Sequence, residues 1–515
     1  MTLSILIWLP LAVGVLGAIL GAKAAPKLAV AGSLVALGIA ISFVVRFESG
    51  QDGLQFVTNE SWISELGISY KLGVDGLNVV LLLLTTFLFT LATIFANLRQ
   101  WERPQLFYFH MGIAQTAVLG AFCAQDLILF VAFFDLMLIP FYFLTGIWGS
   151  GDREARVRGT QKLVIYTLVG SLLMLVAAIA TGVLAAQQHD TELNFAISAL
   201  QQLPLSEGSQ QWIFLCFAAA FLVKMPAFPL HGWLPDGYKA MPLPALAVFS
   251  GVLSKVAAYG FLRIVLPVFP DASVHFQELL LLIALASILY GSAMAFSAQN
   301  VRLVVAYSSV AQMGFITLGI FALNEDGAQG ALLQMVNHGL VTVPLFFIVA
   351  LLASRAGGSE EIKDMGGIAF RAPVLATLFL IVSLATLAMP GSANFVGEFL
   401  ILLGVFEAKP VFAIVASIGV ALAAVYMLRA FIRSMHNRVN PSVDSREITF
   451  RDLAVLVPAI VVILALALYP QFGLSKSEAT TKATVAQVQA KTGQLTAEKT
   501  ETTTSTASEE EEHTP

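Results

Sequence analysis

The chain alternates between long apolar runs and short polar loops. About fourteen runs of about 18–25 residues recur, the length of a helix that crosses about 30 Å of hydrocarbon. The expected spans are 3–20, 27–46, 76–97, 104–122, 126–147, 161–186, 211–230, 245–266, 277–297, 301–322, 328–352, 372–406, 409–434 and 451–470. A membrane barrel would instead show segments of about ten residues with alternating polarity. The pattern predicts an all-α polytopic membrane protein, with a transmembrane domain over 1–470. From Gln471 the chain turns to Thr, Ala, Lys and Glu and ends EEEEHTP, with no evident apolar stripe. Residues 471–515 are therefore expected to be a disordered polar tail.

The loops carry an independent signal. Loops after odd-numbered spans hold 17 Lys and Arg, from Lys23 and Lys27 to Arg446 and Arg451. Those after even-numbered spans hold four, Arg46, Lys71, Arg263 and Lys409, beside acidic residues such as Glu48, Asp190 and Asp326. Basic residues favour the cytoplasmic side, so both termini are expected outside. A miscounted span would scramble this alternation. The opening MTLSILIWLPLAVGVLG has no basic residue before its apolar run and reads as a first span rather than a cleaved signal.

Two spans are interrupted. FLVKMPAFPLHGWLPD carries Pro226 and Pro229, and LATLAMPGSANFVGEFLILLGVF carries Pro390 and Gly391. Proline removes a backbone donor and breaks a helix, and broken backbone inside a bilayer must face protein or water. These are spans 7 and 12. Their spacing suggests two five-helix repeats, spans 4–8 and 9–13, the second inverted because an odd repeat length starts it on the opposite side. Paired broken helices mark transport folds.

Composition narrows the function. Hydrophobic residues make up 57% and charged residues 12%, with mean hydropathy +0.82, which excludes a soluble enzyme. A net charge of −5 argues against a nucleic-acid partner. Two cysteines, Cys123 and Cys216, cannot ligate an iron–sulfur cluster, and no nucleotide-binding glycine motif is present. Any redox centre must lie on other subunits.

Charges near the bilayer centre are costly and usually functional, and four positions stand out: Asp135 in LFVAFFDLMLIPFYF, Lys224 before the first break, Lys255 in SKVAAYGFLR and Glu398 in ANFVGEF. A desolvated lysine loads and releases a proton near neutral pH, and a movable carboxylate switches it. His231 and His338 are candidate extensions of this relay, with His110 a weaker one. Ser308, Ser309, Gln312 and Thr317 can organise water or pack helices. Asp126, Asp236, Glu407 and Lys409 sit at helix ends and read as caps and anchors.

KMPAFPLHGWLPD, SKVAAYGFLR, AYSSVAQMGFITLGI, VNHGLV and ANFVGEF resemble the antiporter-like membrane subunits of respiratory complex I, the chain 4 or chain M type in particular, over essentially the whole length up to the tail. The resemblance implies that Asp135 and Lys224 form the switching pair, that Lys255 is the central lysine and that Glu398 is the terminal ionisable group. It implies a proton-pumping subunit of an NADH:quinone oxidoreductase, a translocase whose NADH, FMN, iron–sulfur clusters and quinone belong to partner subunits, with no cofactor on this chain. Its implied partners are other membrane-arm subunits, the bilayer and protons. Its implied place is the cell inner membrane, or a thylakoid membrane. The family carboxylate at Asp135 is usually glutamate; the shorter side chain puts a direct contact with Lys224 in question. The alternatives are a subunit of a multisubunit cation/proton antiporter or of a complex I-like carbon dioxide-uptake complex.

Overall fold

The structure is a computed structural model that describes residues 2–437 and 443–511, the side chains at 487, 492 and 494–511 excepted. Helices dominate. In chain order they are α1 Leu3–Leu20, α2 Ala25–Arg46, α3 Val79–Asn97, α4 Pro104–Cys123, α5 Leu127–Leu136, α6 Leu138–Trp148, α7 Arg153–His189, α8 Glu207–Lys224, α9 Leu234–Ala240 and α10 Leu243–Val268. Then follow α11 Gln277–Ser297, α12 Val301–Ile320, α13 Glu325–Arg355, α14 Pro373–Thr386, α15 Ala393–Ala408, α16 Pro410–Met435, α17 Phe450–Leu468 and α18 Gln471–Glu511.

Among the described residues twelve helical spans are long and apolar enough to cross a membrane, or thirteen if the bent pair Ile362–Phe370 and Pro373–Thr386 counts as one. Reaching the expected fourteen requires adding both interrupted spans, which fail on continuity or polarity. The helices α14 and α15 have 14 and 16 residues. The helix α8 opens on the polar stretch Glu207–Gln211. Local chemistry sets the breaks. Pro226 ends α8 one residue after Met225, which proline biases away from helix. Gly391 adopts φ +90, a left-handed turn open to glycine without strain, between α14 and α15.

The spans differ in what they cover. The helices α10 and α13 are wholly buried over their apolar windows and α12 nearly so, whereas α1, α2, α16 and α17 turn most of their surface outward. A helix apolar all round belongs in a bundle centre. An antiparallel hairpin, β1 Gln55–Ile63 and β2 Ile68–Val74, lies between α2 and α3. It is tied to the bundle by Asp126, whose carboxylate accepts from Ser69, Ile128 and Leu129 backbone N–H groups. Asp126 is thus a helix cap, and burial raises its carboxyl above the usual range despite those donors.

The C-terminal segment overturns the expectation of a disordered tail. Residues from Gln471 form α18, with Gly473, Ser477, Thr480, Thr481, Val485 and Val488 turned inward. Ser477 Oγ donates to Gln329 Oε1 at 2.9 Å, Gly76 N donates to Thr480 Oγ1 at 3.1 Å, and Lys491 pairs with Asp271 at 3.0 Å. The stripe exists, but only Val485 and Val488 are apolar, and the other four of its six inward residues are glycine, serine or threonine, which hydropathy scores as polar. They pack because Gly76 leaves no side chain in the way: a Cβ there would lie 2.4 Å from the Lys476 carbonyl. The terminal residues 512–515, also expected to be disordered, lie outside the described residues.

Two arginines assigned to loops are buried. Arg263 Nη2 meets both oxygens of Asp75 at 2.5 Å, and its Nε donates to the Tyr259 hydroxyl at 2.9 Å. Arg302 donates to the carbonyls of Tyr238, Lys239 and Met241, closing the C-terminal end of α9, and pairs with Glu360.

Candidate functional site: a line of buried ionisable groups

Lys224 is the last residue of α8, 5% exposed, held where the helix stops. Its Nζ donates to the Phe134 carbonyl at 2.9 Å and sits 3.9 Å from the centre of the Phe134 ring. An aromatic face and a carbonyl are weak substitutes for a counter-ion. The backbone groups freed by the break find partners: Trp233 Nε1 donates to Val223 O at 3.0 Å and Phe228 N donates to Ser287 Oγ at 2.9 Å. Asp135 sits next to the break between α5 and α6, where Pro140 denies Leu136 its usual helical donor. It lies within Coulombic reach of Lys224 but forms no ion pair with it, and its Oδ1 is buried without a partner. The short aspartate side chain leaves the gap that its departure from glutamate suggests.

Lys255 is fully buried on α10, after the widened π-type turn Phe249–Leu253. Its Nζ donates to the Ser250 carbonyl at 2.7 Å and lies 2.8 Å from His338 Nδ1 on α13. Among the described residues no carboxylate pairs with it. At this distance one nitrogen donates a hydrogen bond to the other, the geometry that proton transfer between two such groups requires. His338 is 2% exposed. The two were separate candidates in the sequence, and the fold makes them one unit.

Glu398 lies on α15, two turns after the break, and is 3% exposed. Its Oε1 accepts from Gln312 Nε2 at 2.7 Å and from Gln334 Nε2 at 3.4 Å, and Gln334 Nε2 also donates to Gln312 Oε1 at 2.7 Å. Gln312 was among the candidates; Gln334 was not. A glutamine is a weak signal in isolation, although its place one turn before His338 marked the right helix face. The remaining candidates on α12 donate to their own helix, Ser308 and Ser309 to Val305 O and Thr317 to Met313 O, and Ser309 Oγ also accepts from Ser250 Oγ of α10 at 3.3 Å.

The remaining candidates separate from this line. His231, 7% exposed, stands against the Phe228 and Tyr290 rings with Nδ1 buried and unpartnered. His110 bonds its own helix through the Leu106 carbonyl. Asp236 pairs with Lys162, Lys409 with Glu278, and Glu407 is exposed. Among the described residues no cluster of three or more His, Cys, Asp or Glu is arranged to hold a metal ion. The cysteines are unpaired thiols, Cys123 buried and Cys216 partly so.

Spans interrupted at Pro226 and Gly391, with buried lysines, a histidine and carboxylates on the helices around them, are the features of an antiporter-like membrane transport subunit. Comparison with known proteins agrees. Residues 124–423 match the family model described as NADH:quinone oxidoreductase/Mrp antiporter, TM. The chain is 35% identical over 483 residues to NADH-quinone oxidoreductase subunit M of Rhodobacter capsulatus, covering 91% of this chain and 93% of the relative. It is 36% identical to the subunit M of Escherichia coli strain K12, covering 80% and 81%. Among solved structures, respiratory complex I from Thermus thermophilus with bound NADH contains a chain that matches with TM-score 0.87 and 28% identity, over 95% of this chain and 100% of that one. A chain of the Mrp complex from Dietzia sp. matches with TM-score 0.80 at 22% identity, again over 95% and 100%, a likeness of fold. The chain belongs to the NADH:quinone oxidoreductase/Mrp antiporter transmembrane family.

Proposed function

We propose that this chain is the subunit M-type proton-translocating member of the membrane arm of an NADH:quinone oxidoreductase. It carries protons while electron transfer takes place on partner subunits that hold NADH, FMN, iron–sulfur clusters and quinone. Relatives named as subunit M over nearly their full length support the assignment to that complex. The observation that carries the mechanism is the Lys255–His338 contact of 2.8 Å, fully buried and without a carboxylate partner. Such a pair holds a mobile proton where no water-exposed group competes for it.

The relay runs from Asp135 and Lys224 through Lys255 and His338 to Glu398. Movement of Asp135 toward Lys224 stabilises the ammonium, and movement away releases its proton. Each charge moved against the membrane potential costs about 2.3 kcal/mol per 100 mV, so the switch must be driven by quinone chemistry elsewhere in the assembly. The loop charges support both termini outside the cell inner membrane, with Glu398 toward the outer end of the path. His231, beside the same break as Lys224, is a side entry to the relay.

The test uses the whole complex in sealed proteoliposomes carrying Lys224→Ala. With assembly verified on a native gel, quinone reduction and lumen acidification should fall together. Unchanged rates of both would remove Lys224 from the path.

A further inference from the structure

The surroundings of Glu398 are more specific than a dry place for an acid. Gln312, on α12, is 1% exposed, and Gln334, on α13, is fully buried. Their two amide groups converge on the single oxygen Oε1 of Glu398 and on each other, at 2.7 and 3.4 Å to the carboxylate and 2.7 Å between the amides. Among the described residues no cation pairs with Glu398. Room for the second amide comes from the residue beside the acid: a Cβ on Gly397 would stand 2.5 Å from Gln334 Oε1 and 3.1 Å from Gln334 Cβ. Gly397 does not have a positive φ, so its requirement is space and not backbone conformation.

We propose that Gln312 and Gln334 form an amide clamp that fixes Glu398 through Oε1, so that protons exchange only at Oε2, and that Gly397 is glycine in order to admit the clamp. The proposal rests on the reading of Glu398 as part of the proton path and adds which of its atoms does the work. An ionised carboxylate accepts hydrogen bonds at both oxygens, and a protonated one keeps a carbonyl oxygen that still accepts. With the proton on Oε2, Oε1 retains both amide donors. With the proton gone, it retains them again. One proton arrives at Oε2, neutralises the group and leaves from Oε2, and the side chain turns in neither state. Gln312 and Gln334 are positioning residues; they do not carry the proton. A free carboxyl would lose its aim each time it was protonated.

The experiment compares Gln312→Leu, Gln334→Leu, Gln334→Ala, Gly397→Ala and the pair Gly397→Ala/Gln334→Ala in the assembled complex. The readouts are lumen acidification per quinone reduced and the infrared carboxyl C=O band that Glu398→Gln abolishes. Each single variant should move that band to higher wavenumber and broaden it, and slow proton release about tenfold, the scale of one hydrogen bond to a charged group. The pair should lose less than the two single alanine losses added together, because the 2.5 Å approach to the Gln334 amide oxygen is gone and only the 3.1 Å approaches to the Cβ and backbone N of residue 334 remain. If the leucine variants do not assemble, Gln312→Asn and Gln334→Asn shorten the clamp and carry the same test. An unmoved band in the Gln312 and Gln334 variants, or additive losses at 397 and 334, would overturn the clamp. If Glu398→Gln itself pumps at the wild-type rate, the reading of Glu398 falls; if it fails while the clamp variants behave as wild type, only the clamp falls.

Discussion

The surroundings of Lys224 and of Glu398 solve the same problem in opposite ways. Both groups stand at an interrupted span and both are almost completely buried. Lys224 leans on a carbonyl and an aromatic face, while its nearest carboxylate, Asp135, stands off with one oxygen unpartnered. Glu398 is gripped by neutral amides that accompany it in either protonation state. The lysine end is loosely held and charge-coupled; the glutamate end is firmly held and charge-neutral. A group that must change state on command needs a movable counter-charge. One that must deliver in a fixed direction needs fixed dipoles.

The sharpest way to break this contrast is to remove each charge. Lys255→Ala should give the largest effect, with lumen acidification lost and quinone reduction down at least about tenfold, which corresponds to about 1.4 kcal/mol on the coupled barrier. Stopped-flow dye measurements on sealed proteoliposomes would check it. Glu398→Gln should abolish acidification with less effect on quinone turnover, since it blocks delivery and leaves the counter-charge switch in place; proton-to-quinone ratios measure the difference. Asp135→Glu sharpens the comparison, because one more methylene shortens the gap to Lys224. A pair held together for longer should slow turnover at least about twofold, since a charge pair out of water is screened less than an exposed one, seen as a change in steady-state rate without loss of assembly. The smallest effect lies outside the relay, at Glu447. Burial acts to raise its carboxyl, but donors from Ile448, Val374 and Leu375 and the charge of Arg355 outweigh that and hold it below the usual range. Its contribution to stability is therefore present above the ordinary glutamate range and is lost as pH falls through the lowered value. Glu447→Gln should destabilise the protein slightly at neutral pH, by up to about 1 kcal/mol of helix-cap energy, read as a small drop in melting midpoint, and the gap to wild type should close in acid.

Much of this was readable because charge is conspicuous in an apolar run. Asp135, Lys224, Lys255 and Glu398 stand out individually, and Pro226, Pro390 and Gly391 mark the breaks without any three-dimensional information. What the sequence could not supply was partnership across spans. Lys255 and His338 are 83 residues apart, and Gln312 and Glu398 are 86 apart. Nothing in local pattern says that helices so distant will touch. Gln334 escaped notice because an uncharged amide carries no insertion penalty large enough to look deliberate. The helix α18 was missed for the opposite reason: the first half of its contact face, Gly473, Ser477, Thr480 and Thr481, has little apolar area, and Val485 and Val488 alone are too few to stand out from a polar tail. Close approach of backbones through small residues is a packing signal of its own.

The bond between Arg263 and Asp75 joins residues 188 positions apart. Removing one partner of such a pair leaves a buried bare charge, a loss of about 3–5 kcal/mol, whereas replacing both with apolar groups of similar volume is often neutral. Over generations the two codons are therefore not free to drift separately: a lineage that changes one is under pressure to repair or discard the other, and the two positions are inherited as a single site.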